Sequence, residues 1–287
     1  MFHKSFLHLA PMHDYTDVAF RTLISKTAKV VTYSEMLHSE AIIRNKIETW
    51  KIERGQALQY GVQIFGNKMN EMIKAAKILE KNQEVDFINF NFGCPSKNIL
   101  DSKAGGYWLK NPKRMILFSK KCRKELSLPY SFKTRLGYGK DISKILTNLD
   151  VDELILHGRT VKQGFSGKAN YESIYKVKEQ TNFSVVGNGD IFTKEDFFNR
   201  KKNLDGLMIA RGVLANPSIF SEIENNKKLN QKDLFFHYIE LAQEFKIDFY
   251  RIKNVSFVFS KGMNNAKQIR EKISKAKTID EIINTMK

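Results

Sequence analysis

Eight short apolar runs alternate with longer amphipathic stretches over about 220 residues, and this alternation constrains the fold more than any other feature. The runs span residues 6–11, 30–36, 58–65, 85–92, 128–134, 153–157, 184–188 and 206–210. Between them, residues 70–81, 112–126, 171–181 and 193–202 carry apolar positions at helical spacing. A strand followed by a helix, repeated eight times, predicts an α/β (β/α)8 TIM barrel. An open doubly wound sheet is the competing arrangement. It loses support because no Gly-rich dinucleotide fingerprint follows the first run. Past about residue 229 the pattern turns helical, over 230–250, 252–261, 266–277 and 279–286, with Asp233, Asn265 and Thr278 near helix starts. The expected division is a barrel over 1–229 and a small helical domain over 230–287.

With 287 residues and 42% hydrophobic content, the chain can bury a large core. No run approaches the ~20 apolar residues of a membrane-crossing helix. Met1-Phe2-His3-Lys4-Ser5-Phe6 lacks the apolar segment and cleavage site of a secretory leader. Two cysteines, Cys94 and Cys122, do not make a disulfide scaffold, and no Cys/His spacing resembles a zinc site. The expectation is a reduced, cytoplasmic, monomeric protein without a metal, a membrane partner or an obligatory protein partner.

The formal net charge of +17 points to a polyanion. The bland alternative is a Lys- and Asn-rich composition spread over a solvated surface. Distribution favours the polyanion. Residues 97–144 hold thirteen basic and three acidic side chains, and residues 251–277 hold eight and one. Two concentrated patches suit a nucleic acid, with Arg251, Lys253, Lys261, Lys267 and Arg270 of the second binding phosphates.

The strand ends collect polar residues, and in a barrel of parallel strands that end carries the chemistry. They include Met12-His13-Asp14, Ser34-Glu35-Met36, Gln63, Lys133-Thr134-Arg135, His157-Gly158-Arg159-Thr160, Asn188-Gly189-Asp190 and Ala210-Arg211-Gly212. After the fourth strand comes Asn91-Phe92-Gly93-Cys94-Pro95. Gly93 lets the backbone bend and Pro95 fixes φ after the thiol. A buried structural cysteine is the default for a lone thiol. A turn at a strand end, beside an amide, makes a catalytic role equally plausible. Cys122 lies in a helical pattern and is read as packing. Gly187, Gly189 and Gly212 permit close approach to a ligand or simply make tight turns. Arg211-Gly212 precedes a short helix, so its exposed N–H groups can take a phosphate.

These residues resemble the tRNA-dihydrouridine synthase family, FMN-dependent enzymes that reduce uridine in tRNA. The resemblance rests on Ala10-Pro11-Met12 with Thr16-Asp17, Gln63-Ile64-Phe65-Gly66, Asn91-Phe92-Gly93-Cys94-Pro95-Ser96-Lys97, Lys133-Thr134-Arg135, His157-Gly158-Arg159-Thr160, Asn188-Gly189-Asp190 and Ala210-Arg211-Gly212. They occur in the family's order across residues 8–220. The N-x-G-C-P turn with H-G-R-T and N-G-D carries most of the specificity. The segment with Lys253, Lys261-Gly262 and Arg270 is similar to the family's helical tRNA-binding domain. His13, Asp14, Ala210 and Asn254 depart from the residues frequent in relatives.

The resemblance implies that Pro11, Met12 and His13 touch the flavin and that Gln63 and Lys133 hydrogen-bond its ring system. His157 would line the flavin and uracil site. Asn188, Gly189, Asp190, Ala210 and Arg211 would hold the ribityl phosphate. Substrate contacts would come from Asn91, Lys97, Arg135, Arg159, Lys253, Lys261 and Arg270, the target lying in the D-loop. Cys94 would be the general acid. The chemistry suits these residue types: reducing the uracil C5=C6 bond needs a hydride at C6 and a proton at C5. Reduced flavin supplies the first, with NADPH as electron donor. A thiol protonated at neutral pH supplies the second. Asn91 offers donor and acceptor to a uracil edge. Two other readings remain, a flavin barrel acting on a free pyrimidine and a non-catalytic tRNA-binding chaperone. The basic patches argue against the first, and Cys94, Lys133 and His157 against the second.

Overall fold

The computed structural model describes residues 5–47 and 52–287. Residues 1–4, part of the segment read above for a leader, lie outside the described residues. Eight parallel strands close into a barrel in chain order. They are β1 (Leu7–Leu9), β2 (Val31–His38), β3 (Gln59–Phe65), β4 (Phe87–Phe92), β5 (Tyr130–Arg135), β6 (Glu153–His157), β7 (Ser184–Asn188) and β8 (Gly206–Ile209). The helices between and after them are α1 (Val18–Thr27), α2 (Ser39–Ile43), α3 (Met69–Leu79), α4 (Lys97–Asp101), α5 (Pro112–Glu125), α6 (Ser143–Leu146) and α7 (Tyr171–Glu179). Then come α8 (Lys194–Lys201), α9 (Arg211–Ala215) and α10 (Ile219–Asn225). Four more follow: α11 (Gln231–Glu244), α12 (Phe249–Phe259), α13 (Ala266–Lys275) and α14 (Ile279–Met286). Each predicted run holds one strand, so the TIM barrel read from the sequence stands.

The helices form where apolar spacing and caps agree. In α3, Met72, Ala75, Ala76 and Leu79 recur on one face and are buried. Asn111 caps α5, with Pro112 in its first turn, and Thr193 and Asp196 make a capping box on α8. Inside the barrel, Val31, Tyr33, Phe87, Ile155, Val186 and Met208 pack together. Gly61 makes that packing possible: a Cβ there would lie 2.2 Å from the Phe87 ring.

Two features differ from the reading above. β2 runs two residues past Met36, and its register to β3 shifts between Tyr33 and Met36. Ser34 Oγ accepts the Gln63 N–H at 2.8 Å across that irregularity, which keeps the ladder satisfied. The helix expected over 230–250 breaks earlier. α11 ends at Glu244, Lys246 is left-handed at φ 54°, and Asp248 starts α12 by accepting the Arg251 N–H at 3.0 Å. As expected, Asp233 lies in the first turn of α11, which Asn230 caps, and Asn265 and Thr278 stand at the starts of α13 and α14.

The C-terminal helices pack directly on the barrel's α1. Phe20 of α1 meets Tyr238 of α11 and Phe259 of α12 at ring distances of 6.5 and 6.4 Å. Among the described residues no helix is long and apolar enough to cross a membrane.

Candidate active site

A cavity of about 470 Å³ opens at the C-terminal mouth of the barrel. It is lined by Pro11, Met12, His13, Gln63, Asn91, Cys94, Lys133, Arg135, His157, Asn188, Gly189, Asp190, Ala210 and Arg211. Every residue expected at the acid or the cofactor thus meets in one place. Of the expected substrate contacts, Asn91 and Arg135 line it, whereas Lys97, Arg159, Lys253, Lys261 and Arg270 do not. A larger hollow, about 890 Å³, opens among Asp150, Asp152, Lys178 and Asp205. Its carboxylates are already paired, Asp150 and Asp152 with Arg123 and Asp205 with Lys178. It lies at the strand starts, away from the chemistry-bearing end.

The thiol is placed by its own turn. Asn91 Oδ1 accepts the N–H groups of Gly93 at 3.1 Å and Cys94 at 3.0 Å, and Asn91 Nδ2 donates to Gln63 Oε1 at 2.9 Å. Asn91 is therefore the scaffold of the Cys94 turn. The amide oxygen is doubly engaged there, so what Asn91, on the cavity lining, can offer a uracil edge is its Nδ2 group as donor. Gly93 lets this turn approach β5 closely. Its backbone is not left-handed; a Cβ would press on the Thr134 backbone at 3.1 Å. Gly106, unremarked in the sequence, donates its N–H to Cys94 O at 3.0 Å. Cys94 is half-buried. Cys122 is fully buried in α5, and burial pushes its thiol pKa up, as packing requires.

The cations divide into those that face the cavity and those that hold loops. Lys133 is half-buried and reaches Asn188 Oδ1 at 3.4 Å. Burial, with help from Arg135, lowers its pKa to about 8. Arg135 donates to the carbonyls of Gly93 at 2.9 Å and Thr160 at 3.0 Å, tying the fourth loop to the sixth. Arg159 is corrected from a substrate contact to a loop anchor. Its guanidinium is spent on Asp190 at 2.7 and 2.8 Å and on the Ser166 carbonyl at 3.0 Å. It also meets His157 Nε2 at 3.3 Å. Burial and the cations Arg135, Lys133, Arg159 and Arg211 push the His157 pKa down to about 2. The imidazole is neutral, accepts at Nε2 and carries its proton on Nδ1.

Asp190 lines the cavity while its side chain serves the same loops. Its carboxylate takes Arg159 and the Ala169 N–H, and Arg211 approaches at 3.3 Å. A carboxylate repels a phosphate, so a phosphate at this end of the cavity would meet Arg211 and backbone N–H groups, including the first of α9, rather than the Asp190 side chain. Gly189, at φ 123°, needs its missing side chain because a Cβ would lie 2.9 Å from the His157 ring. Phe165 was missed in the sequence. It lines the cavity, with the Arg211 and Arg135 guanidiniums 4.8 and 5.5 Å from its ring. An aromatic between Gly164 and Gly167 in an otherwise polar loop was the available signal.

Three expected RNA contacts turn inward. Arg251 bonds Glu35 at 2.6 Å. Lys253 donates to Ala276 O at 2.9 Å, and Lys261 to Leu214 O at 2.7 Å. Both lysines satisfy carbonyls at or near helix ends. Lys267 and Arg270 stay exposed. Lys97 is exposed too, paired with Asp101 at 2.6 Å. Among the described residues, His13, Asp14 and Glu35 form a group of metal-type donors, but the Arg251 cation already sits against both carboxylates.

FMN fits the cavity by size, by an apolar floor of Ala10, Met36 and Met208, and by cations at one flank. The model of the family described as dihydrouridine synthase (Dus) matches residues 8–286. The Aquifex aeolicus protein named "Probable tRNA-dihydrouridine synthase" is 30% identical over 98% of this chain and 95% of its own. The Pasteurella multocida protein named "tRNA-dihydrouridine synthase B" is 34% identical over 77% of this chain and 70% of its own. In structure, histamine dehydrogenase from Rhizobium sp. 4-9 shares the fold at a TM-score of 0.57 and 12% identity, over 83% of this chain and 49% of that one. A match that runs through both the barrel and the C-terminal helices, with relatives aligned over most of their length, shows that the chain belongs to the dihydrouridine synthase family.

Proposed function

We propose that this chain reduces uridine in tRNA to dihydrouridine, with FMN in the barrel mouth and NADPH as electron donor. The observation that carries the reading is Cys94, held by the Asn91 turn, in the same cavity lining as Lys133 and His157. When bound and reduced, FMN supplies the hydride for uracil C6. Arg211 and the start of α9 bind its phosphate. Lys133 places positive charge beside the ring system, in a half-buried site where that charge acts strongly. His157, neutral, offers Nδ1–H as a donor. Cys94 holds the proton that goes to C5, and the thiolate left behind is reprotonated from solvent.

The target base must leave its stack to enter the mouth, and Phe165 with its two guanidiniums suits an unstacked base. Residues 230–287 act as the tRNA-binding domain beside a catalytic barrel over 1–229, in a cytoplasmic monomer acting on the D-loop. Purified protein is expected to be yellow and to release FMN on denaturation, and dihydrouridine at a D-loop position is expected to disappear from cells lacking it. A colourless protein that cannot be reconstituted with FMN would sink the reading. Unchanged dihydrouridine in the deletion strain would favour a non-catalytic RNA-binding role. Arg211→Ala should weaken FMN more than tRNA.

A further inference from the structure

The first loop of the cavity, residues 11–17, is held from outside the barrel. It carries Pro11, Met12 and His13 into the lining. Asp14 within it is left-handed at φ 65°, a conformation that a non-glycine residue keeps only when its surroundings hold it. Two links from the C-terminal helices reach this loop. Tyr238 of α11 donates its hydroxyl to Asp17 Oδ2 at 3.0 Å. Arg251 of α12 meets Asp14 Oδ1 at 3.4 Å and Glu35 Oε1 at 2.6 Å. The other Glu35 oxygen meets His13 Nδ1 at 3.2 Å. The cavity-lining imidazole is set by a carboxylate that Arg251 sets in turn. The Arg251 and Glu35 side chains are only 8% and 4% exposed, and Asp248 also meets Arg251 at 3.3 Å, so removing Arg251 leaves the buried Glu35 carboxylate with His13 alone facing it. The Glu35 hydrogen bond also raises the His13 pKa, and the His13 hydrogen bond and Arg251 outweigh burial to lower that of Glu35.

We propose that Arg251 is a positioning residue for the cofactor: from the C-terminal helices it holds the first loop, through Glu35 and His13, in the conformation that binds FMN. This rests on the FMN reading above. Arg251 does not line the cavity, so a loss of FMN affinity on its replacement has no direct-contact explanation. Nor does it face outward, so tRNA affinity has little reason to change.

The test is an FMN titration of apoprotein, followed by flavin fluorescence, for wild type, Arg251→Met, Arg251→Lys, His13→Gln and the Arg251→Met/His13→Gln pair. Arg251→Met should weaken FMN by roughly tenfold, and Arg251→Lys should recover part of that loss. The double variant should be no weaker than the worse single, because both changes break one link. KM for tRNA should stay within about twofold of wild type. Wild-type FMN affinity in Arg251→Met, or fully additive losses in the pair, overturns the proposal. So does a raised KM for tRNA with FMN affinity intact, which would make Arg251 an RNA contact. If Arg251→Met does not fold, Glu35→Gln replaces it with the same expected and overturning results. Wild-type protein that binds no FMN would overturn the functional reading along with this one.

Discussion

Asn91 and Cys94 act as a unit: one amide oxygen fixes the backbone on both sides of the thiol's approach to the cavity. With the thiol so placed, Cys94→Ala should leave FMN binding and flavin reduction by NADPH intact while slowing uridine reduction by roughly 10²–10⁴. Full dihydrouridine formation by that variant would assign the proton to another group. Cys122→Ala, deep in α5, should reduce uridine near the wild-type rate. His157 gives a second prediction, on stability. Its ordinary pKa of 6.5 falls to about 2 in the fold, so below about pH 6.5 the unfolded chain binds a proton that the folded chain does not. Its contribution is full above that value and is lost as pH falls, by up to about 1.4 kcal/mol per pH unit. Between roughly pH 7 and pH 5, Tm of the apoprotein should drop more steeply in wild type than in His157→Gln. Parallel profiles would mean that the folded imidazole is charged.

At the scale of elements, the loops after the strands position the site by bracing one another. Arg135 ties the fourth loop to the sixth, Arg159 ties the sixth to the seventh, and the 3-10 turn Gly105–Lys110 backs the cysteine. A Cβ on Gly106 would lie 2.9 Å from Cys94 O and 2.7 Å from Val161. Gly106→Ala should therefore shift the thiol and lower the rate of uridine reduction by roughly tenfold or more, since small misplacements are costly. FMN content should hold, because the phosphate end is untouched. Equal loss of FMN and rate would show instead that the whole mouth had collapsed. None of this bracing is visible in sequence spacing, since each arginine chooses a carbonyl or carboxylate from a different loop.

For the whole molecule, the charge of +17 has to be divided between fold and partner. The two basic stretches are partly consumed by the fold. Lys110 stands between the Tyr107 and Tyr138 rings at 4.4 and 4.6 Å, Arg123 serves Asp150 and Asp152, and Lys253 and Lys261 bond backbone carbonyls. Neutralising Lys267 and Arg270 should raise KM for tRNA and reduce the log–log salt slope by about 0.7 for each lost contact with single-stranded RNA. Lys253→Met and Lys261→Met should lower Tm by a few degrees and leave the slope unchanged, since each strands a partly buried carbonyl. A salt titration alongside thermal melts separates the two pairs. A slope that changes only with Lys253 and Lys261 would mean that those side chains leave their carbonyls for RNA.

The strand count, the barrel and the residues at its mouth were legible in the sequence because they depend on local order. A run of apolar residues makes a strand, a helix returns the chain, and parallel closure carries every strand end to one rim. Cys94, Lys133, His157 and Arg211 share a cavity for that reason. What the long and polar side chains do there was decided only by the tertiary structure. Asn91 spends its amide oxygen on a turn; Arg159 and Arg251 could have met phosphate and instead meet Asp190 and Glu35. An arginine or an amide reaches several ångströms and bonds whichever partner the fold brings near. Glu35 lies 216 residues from Arg251, a separation that no local pattern records.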